Sequence, residues 1–208
     1  MIVPYTTRWS SEEKLPGTVV ERRGFGIAYA DEILTDRDDH GVLWQRVPST
    51  PGVGQPEFGK VHPARQRKAM QNLLCQVCGG PADVDDLGTL WLLPDYDGYH
   101  EDWPGWPDRM ATPEPPVCLS CAHIAVRVCP ALRKGHVAIR VRRPVLSGVR
   151  GALYLRGPLV LRPADEGMVA YEDPAIRWTC AAHLVRELFG CTVVSLELTK
   201  AGGGSTRS

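Results

Sequence analysis

Two Cys-x-x-Cys pairs, Cys75-Gln-Val-Cys78 and Cys118-Leu-Ser-Cys121, stand 39 residues apart (79–117) in a chain of 208 residues. No other feature restricts the fold as much. Each pair forms a turn from which two thiolates converge, and two such turns supply the four ligands that a tetrahedral ion requires. Gly79 and Gly80 after the first pair let backbone amides approach the sulfurs. A redox dithiol would need one pair, not two. The expectation is one structural Zn2+ held by Cys75, Cys78, Cys118 and Cys121, which would organise the middle third of the chain.

The cysteine total of seven is odd, and no basic start followed by an apolar run marks the N-terminus as a secretory signal. No apolar stretch approaches the roughly 18 residues of a membrane span. Together these point to a cytoplasmic protein in a reducing compartment, with no membrane partner. The length suffices to bury a core without a metal, while 21 Gly and 18 Pro announce many turns and short elements.

Total charge excludes little, because 24 basic and 24 acidic side chains cancel. Their distribution says more. Residues 69–126 contain nine acids against the single base Arg109, and residues 127–162 contain nine bases and no acid. Either the two blocks neutralise each other in the fold, or the second offers a surface to phosphates. Residues 137–143 alternate apolar and basic as a half-buried strand does, with Arg140 and Arg142 on one face and Arg143 on the other. With Arg133, Lys134 and Arg150 these form the candidate contact for DNA or RNA. The acidic, proline-rich stretch 94–116 is the candidate contact for a protein partner, although its aromatics, among them Tyr96, Tyr99, Trp103 and Trp106, can also pin the loop to the domain.

The expected fold class is α+β, with a central zinc module, short flanking strands and a C-terminal helix-strand unit. Four regions follow: an N-terminal strand and loop region over 1–60, the zinc module over 61–130, a basic strand pair with the C-terminal helix and strand over 131–200, and a disordered Gly/Ser tail over 201–208. Within them the sequence predicts strands at 26–30, 42–47, 89–93 and 137–143, and within 146–155 a turn followed by another strand. It predicts helices at 63–74, from about 117 to 128, and at 179–189, the last capped by Gly190 and followed by a strand at 192–198.

A knuckle, a hairpin and a second pair leading into a helix are similar to the treble-clef zinc finger. More narrowly, residues 65–67, 74–79 and 117–121 resemble the zinc-bearing HNH endonucleases over 63–128, under a third of the chain. That resemblance implies a catalytic Asp-His at the end of the first hairpin strand, where this chain has Leu90-Trp91. It also implies a central Asn, for which the chain has no candidate, and a His directly after the last Cys, where Ala122 stands and His123 follows. The resemblance therefore implies a retained scaffold without nuclease chemistry, a non-catalytic binding module. The enzyme alternatives are a divergent nuclease drawing on His62, His100, His123 or His136, and a hydrolase using Cys180 and His183. These last two, at i and i+3 of the expected helix, would share one face as a metal-ligand or nucleophile-base pair. His123 is a candidate for supporting the zinc ligands, and with Cys129, Cys191 or His136 the Cys180–His183 pair would make a second metal site.

Overall fold

The computed structural model describes residues 2–95, 103–157 and 161–196. Tyr96, Tyr99, His100, the end of the expected last strand at Leu198 and the tail 201–208 lie outside the described residues. Eleven strands and two α-helices follow in chain order among those described: β1 (Thr7–Trp9), β2 (Val19–Arg22), β3 (Gly26–Tyr29), β4 (Leu43–Trp44), β5 (Pro56–Val61), α1 (Pro63–Asn72), β6 (Val84–Asp85), β7 (Gly88–Pro94), β8 (Ala111–Thr112), α2 (Leu119–Val128), β9 (His136–Arg156), β10 (Leu161–Ala170) and β11 (Thr179–Val194). The fold is mixed α+β. No described helix is long and apolar enough to cross a membrane.

One seven-stranded sheet carries most of the strand residues, in the order β4-β11-β9-β7-β6, with β10 added to β9 and β8 to β11. β9 binds β11 along most of its length, β7 through residues 136–141 and β10 through residues 148–156. The turn expected near Ser147 does not form. Gly148 and Gly151 instead let neighbouring strands approach where a Cβ would stand 2.2 Å from the carbonyl oxygens of Val169 and Cys180.

The C-terminal helix expected at 179–189 is corrected to the strand β11. Its apolar residues at helical spacing also fill most of the segment, broken only by His183, Arg186 and Glu187: Cys180, Ala181, Ala182, Leu184, Val185 and Leu188 are all buried. Such a segment reads equally as a strand covered on both faces, and periodicity alone does not separate the two. β11 lies between β9 on one side and β4 and β8 on the other, so tertiary pairing overrides local helix preference. Gly190, expected as a helix cap, sits within the strand at φ +65°.

Both helices form where the sequence predicts them. His62 caps α1, its Nδ1 accepting from the Arg65 amide, and Pro63 occupies the first turn. The chain leaves α1 through Leu73 at φ +50° and enters the first cysteine turn. The N-terminal region locks onto α1 through Glu12, which is fully buried and accepts from both terminal nitrogens of Arg65 at 2.7 and 2.6 Å and from the amides of Trp9 and Thr50. Burial alone would raise this carboxyl, but the Arg65 and amide hydrogen bonds outweigh it and hold it down to about 2.

Candidate metal centre

The first cysteine turn is built by backbone hydrogen bonds. The Cys75 amide donates to the Gly80 carbonyl at 2.7 Å and the Gly79 amide to the Cys75 carbonyl at 2.8 Å. Gly79 has φ +73°, and a Cβ there would stand 2.9 Å from the Tyr5 ring, so a side chain is excluded by conformation and by space. The hairpin β6-β7 follows, pinned by Arg140 of β9, whose guanidinium meets Asp83 at 2.6 Å and Asp85 at 3.1 Å.

The second pair returns to the first through Pro116 and Val117. The Gln76 amide donates to the Pro116 carbonyl, the Asp83 amide to that of Val117, and the Val117 amide to that of Leu90, all at 3.0 Å. Cys118 then occupies the residue before the first turn of α2, and Cys121 lies in that turn. Behind the sulfurs lie Leu90, Leu92, Val117, Ala122 and Ala138. The cluster is thus sewn into the main sheet.

The four Sγ atoms all lie within 4.8 Å of one another, and those of Cys78 and Cys118 are 3.9 Å apart. Four sulfurs bonded to one zinc at about 2.3 Å would sit about 3.8 Å apart. A disulfide needs about 2.05 Å, and the four are free thiols. Cys75 and Cys121 are buried, while Cys78 is exposed. Burial pushes the Cys75 and Cys121 thiols up, and the adjoining sulfurs add to this at Cys121. At Cys118 burial also raises, but hydrogen bonds from the Ser120 hydroxyl and the Cys121 amide prevail and bring the thiol to about 7. Four thiolates this close repel one another, and a divalent cation at their centre removes that cost. The donor set therefore fits a metal ion.

The other candidate residues are dispersed. His123 is half-buried on α2, outside the four-sulfur group, and its Nε2 has no hydrogen-bond partner among the described residues. Cys180 and His183 do not share a helix face, because they lie on β11 with a register shift between them. Cys180 packs with Ile27, Tyr29 and Leu43, its Sγ 3.6 Å from the Tyr29 hydroxyl. His183 instead lines a cavity of about 390 Å³ with Glu114, Arg150 and Glu166. Cys129 ends α2, and the Cys191 amide donates to Asp108.

The basic group divides as well. Arg140 is buried against the hairpin acids, so here the acidic and basic blocks do neutralise each other. Arg150 lies 3.9 Å from Glu166. Arg133, Lys134, Arg142 and Arg143 are exposed. Arg143 packs over the Phe189 ring at 4.4 Å, and Arg109 lies 5.8 Å from the same ring.

Sequence reasoning missed Glu114. It borders both the 390 Å³ cavity and a neighbouring one of about 450 Å³ lined by Trp103, Trp106 and Met168. Its carboxyl has no hydrogen bond or ion pair among the described residues, and burial raises it. The available signal was its place as the one charged side chain in Pro113-Glu-Pro-Pro116.

No protein-family model, no curated protein and no solved structure matches the chain. Fold and site define a mixed α+β protein with a group of four cysteines that could hold a metal ion. The functional reading rests on that geometry.

Proposed function

We propose that the chain is a non-catalytic, zinc-stabilised module that binds nucleic acid, with the four cysteines holding Zn2+ in a treble-clef arrangement. The observation that carries the structural role of the metal is its ligand set: four cysteines fill a tetrahedral shell and leave no position for water or substrate. Soft sulfur donors and tetrahedral spacing favour zinc over magnesium or calcium. Arg142 and Arg143 support the nucleic-acid half. They stand on β9 just beyond the last residue paired with β7, and Arg143 packs over Phe189, an arrangement able to meet phosphates and bases together, whereas Arg109 beside the same ring is paired with Glu187 at 3.4 Å. Arg140 drops out of this contact because Asp83 and Asp85 occupy it.

The test is binding of labelled DNA and RNA, single- and double-stranded, by zinc-loaded protein over a range of salt. The reading expects affinity that falls steeply as salt rises, and a smaller slope for Arg142→Gln with Arg143→Gln. Absence of salt-sensitive binding to any of the four would defeat it.

A second reading, an enzyme, draws on the cavity where Glu114 and His183 meet Arg150. Burial pushes the Glu114 carboxyl up and the His183 imidazole down, the displacement that general acids and bases show. Cleavage of plasmid DNA with Mg2+ or Mn2+ that Glu114→Gln abolishes would favour it over the binding module.

A further inference from the structure

A basic groove of about 400 Å³ lies far along the chain from the β9 arginines, at the tip of the β2-β3 hairpin. Arg22, Phe25, Arg37, His40 and Arg177 line it, together with two glycines, and no carboxylate does so among the described residues. Phe25 is 74% exposed and offers an open ring face to the groove.

The sequence builds this tip tightly. Arg22-Arg-Gly-Phe-Gly26 turns with Gly24 at φ +83° and Gly26 at φ +100°, and the Phe25 amide donates to the Arg22 carbonyl at 2.9 Å. A Cβ on Gly26 would lie 2.0 Å from the Arg177 carbonyl oxygen, so the hairpin tip is pressed against the turn that carries Arg177. Arg37 forms a fixed wall: it binds both oxygens of Glu32 at 2.9 Å and donates to the carbonyls of Ile27 and Gly41. His40 stacks on the Tyr171 ring with centroids 3.9 Å apart.

One cation, Arg177, is left free for a ligand, and a second, Arg22, is held only in part. Arg22 is 3.6 Å from Glu32, which Arg37 already engages. Arg177 is exposed, and its guanidinium has no hydrogen bond or ion pair among the described residues. An exposed ring beside one free guanidinium and a second held only at 3.6 Å, in a groove lined by no carboxylate among the described residues, suits a base whose edge is free and whose face can stack. Duplex bases present no free face to such a ring.

We propose that this groove binds single-stranded nucleic acid, with one base stacked on Phe25 and the adjoining phosphate held by Arg22 and Arg177. The proposal rests on the nucleic-acid reading above and adds to it the site and the strandedness.

The experiment titrates the zinc-loaded full chain against a fluorescein-labelled oligothymidylate and, separately, against thymidine monophosphate, inorganic phosphate and vesicles containing phosphatidylserine. Phe25→Ala and Arg177→Gln are compared with the parent, and unchanged thermal melting confirms that these exposed positions leave the fold intact. Phe25→Ala is expected to weaken oligothymidylate binding about tenfold, the loss of one stacked base, and Arg177→Gln to reduce the salt slope by about one phosphate. The parent is expected to prefer the single strand to the duplex of the same length. Tight oligothymidylate binding that neither substitution alters would overturn this site and leave the nucleic-acid reading standing. Binding of the mononucleotide or of inorganic phosphate without binding of the oligomer would overturn this site, as would Phe25-dependent binding to the vesicles alone or no binding to any probe; the nucleic-acid reading itself falls only if duplex DNA and both forms of RNA also fail to bind.

Discussion

Gln66 of α1 satisfies both backbone groups of Leu184 in β11: its Nε2 donates to the Leu184 carbonyl and its Oε1 accepts from the Leu184 amide, each at 2.9 Å. On that edge β11 pairs with β4 only at Cys180 and Ala181, and with β8 only at Arg186 and Glu187. Leu184 falls between them, and a helix side chain takes the place of a strand. Gln66 is 1% exposed and Leu184 is 2% exposed, so water does not replace it. Two residues further on, Arg186 of β11 reaches back and donates to the Met70 carbonyl at the end of α1, at 2.9 and 2.6 Å.

Gln66→Ala is therefore expected to destabilise the protein by about 2–4 kcal/mol, since two buried backbone groups lose their partners. Urea unfolding measures this, and Gln66→Glu, which keeps the size and loses the donor, should cost a similar amount. A change below roughly 0.5 kcal/mol, the range of an ordinary surface substitution, would show that the gap between β4 and β8 closes without it.

Removal of the metal acts on a different part of the core. The metal-bound protein is expected to contain one zinc per chain by elemental analysis, and Cys75→Ser or Cys121→Ser to lose it together with most of the cooperative thermal transition. Both sulfurs lie inside the core shared with Leu90, Val117 and Ala138, so loss of the ion opens the main sheet rather than a surface loop. Replacement of exposed Cys78 should cost less fold and still release the metal.

Acid should release the N-terminal region. Glu12 is held at about 2, below its ordinary 4.5, chiefly by Arg65 and two amides that outweigh its burial. Because the folded value is the lower one, its contribution is complete above pH 4.5 and disappears as the pH falls from 4.5 towards about 2. Glu12→Gln is expected to remove that dependence and, by leaving Arg65 buried without its counter-charge, to destabilise at neutral pH by about 3 kcal/mol. Urea unfolding at neutral pH and near pH 3 compares the two.

Glu114 should behave in the opposite sense. Its folded value is raised by burial, so the folded protein binds that proton more strongly than the unfolded chain and loses stability as pH rises towards neutrality. Glu114→Gln is expected to stabilise the protein at pH 7 by about 1–2 kcal/mol, with the gain shrinking at lower pH. Unfolding at two pH values decides it, and a loss of stability at pH 7 would mean that the carboxylate has a partner.

The spacing of Cys75, Cys78, Cys118 and Cys121 was sufficient to predict that four sulfurs meet at one point, because a chain has few ways to present two Cys-x-x-Cys turns other than around one centre. Pro63 likewise marked the start of α1 through its first-turn preference, a local property, and the second cysteine pair marked the start of α2. What lay beyond reach of the sequence was decided by contacts between distant segments. Whether 179–189 coils or extends depends on the presence of β4, β8 and β9 beside it, and its near-continuous burial erased the periodicity that would have distinguished the two. Whether Arg140 serves a ligand or a hairpin depends on Asp83 and Asp85 meeting it across the sheet. The cavity at Glu114 and the groove at Phe25 are shapes made where separate elements meet, and no stretch of sequence contains them.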